Sequence, residues 1–153
     1  LEPMLDALRN FAGLPHRCEL VATIDGVQYI NDSKATNTGA TAAALDGLSG
    51  PIVLIAGGVG KGADFSELRE FVRDKVRTII VLGESADELQ QILGDLSPVH
   101  RVAGIDEAVA LASEQSRTGD RVLLSPACAS LDMFADYMER GRAFRNAVQG
   151  LSS

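Results

Sequence analysis

The chain has 153 residues, of which 46% are hydrophobic and 23% are charged. This length and composition suit one compact domain that buries roughly 70% of its unfolded surface. Twenty-one acidic residues against fourteen basic ones give a net charge of −7, which argues against binding nucleic acid or acidic membranes without sequence preference.

The first segments predict a helix followed by a β-hairpin. Residues 3–11 carry apolar side chains at helical spacing. Residues 18–23 and 27–30 read as two strands, and Asp25 with Gly26 between them is typical of a two-residue turn. We therefore expect an antiparallel strand pair near the start of the domain.

Apolar strands then alternate with helical stretches. The predicted strands are 52–56, 78–82, 98–102 and 121–125, and the predicted helices are about 38–48, 65–74, 85–93, 106–117 and 131–148. Asp64 and Glu67 form a possible capping box for the second helix. Near-continuous Ile, Val and Leu runs between helices are typical of parallel strands buried on both faces. The sequence predicts an α/β, Rossmann-like, doubly wound and mostly parallel sheet of about six strands, with an initial antiparallel hairpin.

The chain has few cysteines and histidines for disulfide bonds or metal binding. Cys18 and Cys128 are too few for a disulfide scaffold, and we expect both to be buried thiols in a reduced, cytoplasmic protein. Two histidines argue against a histidine-based metal site. No apolar run approaches the roughly 18 residues that a membrane span needs. We therefore expect a soluble protein.

The loops that follow the strands are the candidate ligand-binding segments. In open α/β sheets ligands bind beyond the carboxyl ends of the strands, where loop amides and helix N-termini converge. These loops are 31–37, 57–64, 83–85 and 125–130. We expect the functional site among them.

The 57–64 loop excludes one phosphate motif and leaves another open. A P-loop requires G-x-x-x-x-G-K-[ST], but Ile55 stands five residues before Gly60, and Gly62 follows Lys61. A lysine in this loop would suit a small anion such as a carboxylate.

The open alternative is a dinucleotide fingerprint. Gly58, Gly60 and Ala63 satisfy G-x-G-x-x-A between a strand and a helix, and Glu84 ends the next strand as a possible ribose ligand. A glycine-rich turn after a buried strand also occurs without any ligand.

The 31–37 loop has a structural and a functional interpretation. Asn37 or Thr38 can cap the following helix, with the nearby charges in solvent. Alternatively, Asp32 can accept two ribose hydroxyls while Lys34 and Thr36 face an anion at the helix N-terminus.

The 125–130 loop, Ser-Pro-Ala-Cys-Ala-Ser, has side chains small enough for its amides to approach a ligand. Ser130 and Leu131 are expected to open the last helix. A nucleophilic Cys128 would need a base, and the nearby sequence offers none.

Together these segments resemble the Mur ligases. The matching stretches are G-L-P-H-R-C-E at 13–19, Y-I-N-D-S-K-A-T-N at 29–37, G-G-x-G-K-G-A-D-F at 57–65 and L-S-P-A-C-A-S-L-D at 124–132. Their order and spacing cover nearly the whole chain. The last stretch narrows the resemblance to the family member that adds D-glutamate.

The resemblance implies that this chain is part of a three-domain, ATP-dependent enzyme of peptidoglycan precursor synthesis. Residues 1–12 would be the tail of a central domain, and residues 13–153 would be the C-terminal domain that binds amino acid and nucleotide. In the family, ATP phosphorylates the carboxylate of UDP-N-acetylmuramoyl-L-alanine, and D-glutamate then attacks the acyl phosphate. The catalytic residues and the ligands of the magnesium ions would lie in the central domain. The isolated chain is expected to be inactive and monomeric.

The resemblance also implies roles for individual residues. The positions matching ATP contacts are Arg17, Asp32 and Lys34. The positions matching D-glutamate contacts are Thr36, Lys61, Ser130, Leu131 and Tyr137. Two positions depart from the family pattern, since Val59 replaces a frequent acidic residue and Tyr137 replaces a frequent Phe. A free-standing dinucleotide-binding module and a non-catalytic interaction domain are the two alternatives.

Overall fold

A computed structural model describes residues 18–60, 64–130 and 133–151, which form a single six-stranded sheet flanked by helices. The strands are β1 (Glu19–Ile24), β2 (Val27–Asn31), β3 (Ile52–Gly57), β4 (Val76–Leu82), β5 (Val99–Arg101) and β6 (Arg121–Leu124). Their order across the sheet is β1-β2-β6-β3-β4-β5. The β1–β2 pair is antiparallel and the other pairs are parallel. The predicted fold class is confirmed.

The helices of the described part lie on both faces of the sheet. They are α1 (Thr38–Gly47), a 3-10 turn (Phe65–Leu68) that runs into α2 (Arg69–Lys75), α3 (Ala86–Leu93), α4 (Ile105–Gln115) and α5 (Tyr137–Leu151). One core cluster joins the sheet to α1, α2 and α3, and a second joins its other face to α4 and α5. Consecutive residues of β3 and β4 enter opposite clusters, which explains their unbroken apolar runs. The helix predicted at 3–11 lies outside the described residues.

The strand order creates a topological switch point at the end of β6. Strands β2, β3 and β4 lead into helices on one face, whereas β6 lies between β2 and β3 and leads to α5 on the other face. The carboxyl ends of these strands therefore bring residues 31–37, 57–60, 83–85 and 125–130 to one edge of the sheet.

The last helix begins later than predicted. Helix α5 starts at Tyr137, not near residue 131. The Asp136 carboxylate accepts a hydrogen bond from the Glu139 amide (2.8 Å), and the Glu139 carboxylate accepts one from the Ala135 amide (3.0 Å). These reciprocal bonds satisfy free amides at the start of the helix and fix where it begins.

The predicted capping box at Asp64 and Glu67 is only half formed. The Asp64 carboxylate accepts from the Ser66 amide (3.1 Å) and caps the 3-10 turn. Glu67 instead accepts a hydrogen bond from the Thr38 hydroxyl (2.8 Å) at the start of α1. Asn37 caps α1 through the Ala40 amide (2.9 Å), as the structural interpretation of this loop predicted.

Position 57, at the end of β3, can accommodate only glycine. The first prediction follows from this constraint. Gly57 has φ +142°, and a Cβ there would lie 1.9 Å from the Leu82 carbonyl oxygen of β4. Because the obstacle is backbone, Gly57→Ala is expected to lower the free energy of unfolding by about 3 kcal/mol or more. Gly150→Ala is the matched control, since nothing lies within 4 Å of that Cβ. Thermal unfolding of both variants measures the difference, and equal melting temperatures would contradict the packing described.

Candidate functional site

The 125–130 loop is hydrogen-bonded through its backbone to the loops on either side. The Ala127 amide donates to the Ala35 carbonyl (3.0 Å), and the Pro126 carbonyl accepts from the Gly57 amide (3.0 Å). Ala129 exchanges two hydrogen bonds with Val59, of 2.8 and 3.0 Å, as an isolated antiparallel bridge. The end of β6 therefore holds the ends of β2 and β3 together.

The glycines of the 57–64 loop allow this close approach. A Cβ on Gly58 would lie 2.2 Å from the Ala129 carbonyl oxygen, and one on Gly60 would lie 2.8 Å from the Ser85 hydroxyl. The Gly58 carbonyl also accepts from the Ser85 amide (2.9 Å). These glycines thus have a packing function that requires no bound pyrophosphate. The dinucleotide interpretation, with Gly58, Gly60 and Ala63 as its fingerprint, is not favoured.

Asp32 is nearly buried at the end of β2, with 4% of its surface exposed. Its Oδ1 atom accepts a hydrogen bond from the Cys18 amide (3.1 Å), and its Oδ2 atom accepts one from the Ser125 hydroxyl (2.9 Å). Ser125 in turn lies 3.0 Å from the Thr41 hydroxyl. These two donors, from two different segments, hold the carboxylate in one orientation, and Thr41 contacts the second of them.

The rest of the 31–37 loop alternates between buried and exposed residues. Ser33 and Ala35 are buried, whereas Lys34 and Thr36 are exposed. The Ser33 hydroxyl donates to the Tyr137 carbonyl (2.6 Å), which joins this loop to the start of α5. Lys34 and Thr36 are thereby presented outward from a fixed backbone.

A buried arginine joins the 31–37 loop to the 125–130 loop. Arg140 of α5 is 3% exposed, and its guanidinium donates from Nε to the Ser33 hydroxyl (3.0 Å), from Nη2 to the Ser33 carbonyl (2.8 Å) and from Nη1 to the Cys128 carbonyl (3.0 Å). The planar fork of an arginine can meet such divergent acceptors, which the single ammonium of a lysine cannot. Arg140 therefore fixes the 31–37 loop against the 125–130 loop.

Sequence reasoning missed Arg140, although a signal was present. Arg140, Phe144 and Val148 recur every fourth residue on the buried face of α5. An arginine within such an apolar stripe is unusual, because arginine is rarely buried without partners.

Residues 16–128 match the family model described as Mur ligase, glutamate ligase domain. The chain belongs to this Mur ligase family. A relative from Marinobacter nauticus is 54% identical over 99% of this chain and 34% of its own length. Another, from Pseudomonas aeruginosa, is 54% identical over 99% of this chain and 35% of its own. Both relatives are named UDP-N-acetylmuramoylalanine–D-glutamate ligase. The chain spans about a third of the length of the curated relatives it matches.

Solved structures of distant proteins share the fold. The MurF ligase of Thermotoga maritima, determined in complex with ADP, has a TM-score of 0.61 at 16% identity, covering 90% of this chain and 32% of that one. A bifunctional folylpolyglutamate synthase/dihydrofolate synthase from Yersinia pestis also has a TM-score of 0.61, at 17% identity, covering 92% of this chain and 32% of its own. At these identities the likeness shows the α/β fold alone.

The structure locates five of the eight ligand residues that the Mur ligase resemblance implied. Asp32, Lys34 and Thr36 share one loop, Ser130 is buried at the end of the 125–130 loop, and the half-buried Tyr137 is joined to Ser33. The other three, which are Arg17, Lys61 and Leu131, lie outside the described residues. Thr36, Ser130 and Tyr137 therefore lie on segments that are hydrogen-bonded to one another.

An open cleft beside Ser130 is mainly apolar. Its lining includes Leu82, Ile105, Leu124, Met133 and Phe134. Ser130 and Arg140 are the polar residues of this lining, so an anionic ligand beside Ser130 would also need donors from the 31–37 loop. Cys128 is completely buried, which fits the buried thiol expected from the sequence.

Within residues 18–60, 64–130 and 133–151, no three His, Cys, Asp or Glu side chains cluster as metal ligands would. Over the same ranges, none of the helices combines the length and the apolar character needed to cross a bilayer.

The Arg140 contacts yield a second prediction. Arg140→Met leaves three acceptors without their donor, and we expect the free energy of unfolding to fall by about 3 kcal/mol. Arg140→Lys should recover only part of this loss, because one ammonium cannot reach both loops. Arg142→Met, on the exposed face of the same helix, should change stability by less than about 0.5 kcal/mol. Urea unfolding measures all three variants, and an Arg140→Met protein as stable as Arg142→Met would contradict the role of Arg140.

Proposed function

We propose that this chain is the C-terminal domain of an ATP-dependent ligase that adds D-glutamate to UDP-N-acetylmuramoyl-L-alanine in peptidoglycan precursor synthesis. The observation that carries the proposal is the attachment of the 31–37 loop, with its exposed Lys34 and Thr36, to the 125–130 loop and to Tyr137. Identity above 50% to relatives with this activity in their names supports the choice of amino acid.

D-glutamate carries two carboxylates, which need several donors in a small space. Thr36, Lys61, Ser130, Leu131 and Tyr137 would form this site. The Thr38–Glu67 hydrogen bond (2.8 Å) supports it, because it attaches the segment after the 57–64 loop to the helix that follows Thr36. Since α5 begins at Tyr137, the donors near Ser130 would be its hydroxyl and loop amides, with no contribution from a helix N-terminus.

ATP would be held by Arg17, Asp32 and Lys34. The oriented carboxylate of Asp32 suits ribose hydroxyls, and the exposed ammonium of Lys34 suits a phosphate. Magnesium ions would bind elsewhere in the full-length enzyme, where they would neutralise phosphate charge.

In the proposed reaction the carboxylate of the UDP-linked substrate attacks the γ-phosphorus of ATP, giving an acyl phosphate and ADP. The neutral amine of D-glutamate then attacks the acyl carbon, and the tetrahedral intermediate collapses to an amide with release of phosphate. This domain would hold the amine against the acyl carbon, so its contribution would be positioning. Residues 11–14 would then act as the hinge to the central domain of a monomeric, cytoplasmic enzyme.

The third prediction tests the D-glutamate site in the full-length enzyme. Lys61→Ala removes one carboxylate partner and should raise KM for D-glutamate at least about tenfold, with KM for ATP changed less than about twofold. Lys61→Arg keeps the positive charge, so its KM for D-glutamate should lie between those of the parent enzyme and Lys61→Ala. Steady-state kinetics with each substrate varied in turn makes the measurement, and unchanged D-glutamate kinetics in Lys61→Ala would overturn this assignment.

The fourth prediction concerns the 153-residue chain alone. It should show the cooperative unfolding of a folded domain but hydrolyse no ATP and form no amide, because the residues for phosphoryl transfer are proposed to lie in another domain. Phosphate release and product formation, assayed with all substrates and magnesium, check this. Metal-dependent ATP hydrolysis by the purified chain would contradict the proposed division of labour.

A further inference from the structure

A chain of buried hydroxyl groups ends on the carboxylate of Asp32. Thr41 and Ser125 are both completely buried, and neither is among the residues assigned above to a ligand. Ser125 Oγ lies 2.9 Å from Asp32 Oδ2 and 3.0 Å from Thr41 Oγ1, while Thr41 Oγ1 lies 3.2 Å from the Ser125 carbonyl oxygen. The three residues come from three different elements, namely the ends of β2 and β6 and the first turns of α1.

The direction of these hydrogen bonds follows from the donor inventory. An ionised carboxylate only accepts, and a hydroxyl has one hydrogen to donate. The hydrogen of Ser125 therefore points to Asp32. The Thr41 hydroxyl then donates to one of two acceptors on Ser125, which are the hydroxyl oxygen and the backbone carbonyl oxygen. The order of donation is Thr41 to Ser125 to Asp32.

Asp32 is constrained at its other oxygen as well. The Cys18 amide donates to Oδ1 from the residue directly after Arg17, the second proposed nucleotide ligand. Rotation of the Asp32 carboxylate would therefore disturb the backbone next to Arg17 and also move the oxygens offered to a ribose. Ser125 opposes this rotation, since its hydroxyl donates to Oδ2.

We propose that Ser125 is a positioning residue for nucleotide binding, that it acts by orienting the carboxylate of Asp32, and that Thr41 acts through Ser125. This inference rests on the proposed function, because it requires Asp32 to contact the nucleotide. Nucleotide affinity would then depend on the hydroxyls of Ser125 and Thr41, neither of which touches the nucleotide. D-glutamate affinity should be insensitive to both.

The test uses the full-length enzyme, with ADP and ATP as the probes. Ser125→Ala should raise the Kd for ADP, measured by titration calorimetry, and KM for ATP by about five- to tenfold, which corresponds to the net contribution of one ordinary hydrogen bond. KM for D-glutamate should change less than about twofold. Thr41→Val, which keeps the side-chain shape, should raise the Kd for ADP and KM for ATP by a smaller factor.

A double-mutant cycle tests whether Thr41 affects ADP binding through Ser125. If Thr41 acts through Ser125, Thr41→Val should change the Kd for ADP in the parent enzyme but not in the Ser125→Ala enzyme. The matched control is Ser97→Ala, which removes a buried hydroxyl that donates to the Val76 carbonyl (2.8 Å) near the opposite end of β4. It should cost stability without changing the Kd for ADP.

The outcomes separate this inference from the function on which it rests. An Asp32→Ala enzyme with unchanged Kd for ADP would contradict the proposed nucleotide role of Asp32 itself. A raised Kd in Asp32→Ala together with an unchanged Kd in Ser125→Ala would overturn the positioning role and leave the proposed function standing. Equal losses of ADP and D-glutamate affinity in Ser125→Ala would also overturn it, since they would indicate general disruption of the loops.

Discussion

The arrangement of the site depends on one buried guanidinium. Arg140 reaches from α5 to Ser33 in one loop and to Cys128 in another, with three hydrogen bonds of 2.8 to 3.0 Å. The loops follow β2 and β6, which are neighbours in the sheet but continue onto opposite faces. The Ala127–Ala35 and Ser125–Asp32 hydrogen bonds also connect these two loops. Arg140 adds three bonds that attach both loops to α5, so that groups proposed to bind ATP and groups proposed to bind D-glutamate keep a fixed separation.

The small residues of these loops are required for packing of one loop against another, whether or not a ligand is bound. Gly57 and Gly58 approach the carbonyl groups of Leu82 and Ala129 more closely than any Cβ would permit. The ligand-binding surface is then formed by side chains that this packing leaves exposed, as Lys34 and Thr36 are. This division explains why a glycine-rich turn after a buried strand can resemble a dinucleotide fingerprint without having that function.

The periodicity of the sequence was sufficient to predict the sheet, its hairpin and the presence of α1 to α5, because buried strands and amphipathic helices repeat with different periods. It failed at the start of α5, where Met133 and Phe134 continue the apolar pattern but belong to a turn closed by the Ser130 carbonyl. Asp136 and Glu139 have the spacing of a capping box, which is a local signal that could have located the start of the helix.

Contacts distant in sequence were the hardest to predict. Glu67 had a plausible partner three residues away, yet it binds Thr38, 29 residues earlier. Arg140 bonds to Ser33 across 107 positions, and Ser125 to Asp32 across 93. The last two pairs can be predicted only when the strand order is known, because β6 lies between β2 and β3 in the sheet. The motifs predicted which loops matter, while the structure supplied the residues that hold them together.

The proposed function requires this domain to present D-glutamate to an acyl phosphate from the 31–37, 57–64 and 125–130 loops. The most direct measurement is a crystal structure of the full-length enzyme with D-glutamate, UDP-N-acetylmuramoyl-L-alanine and a non-hydrolysable ATP analogue. We expect D-glutamate carboxylate oxygens within hydrogen-bond distance of Thr36, Lys61 and Ser130, with the amine directed toward the UDP-linked carboxylate. D-glutamate bound without contact to any of these three residues would contradict it.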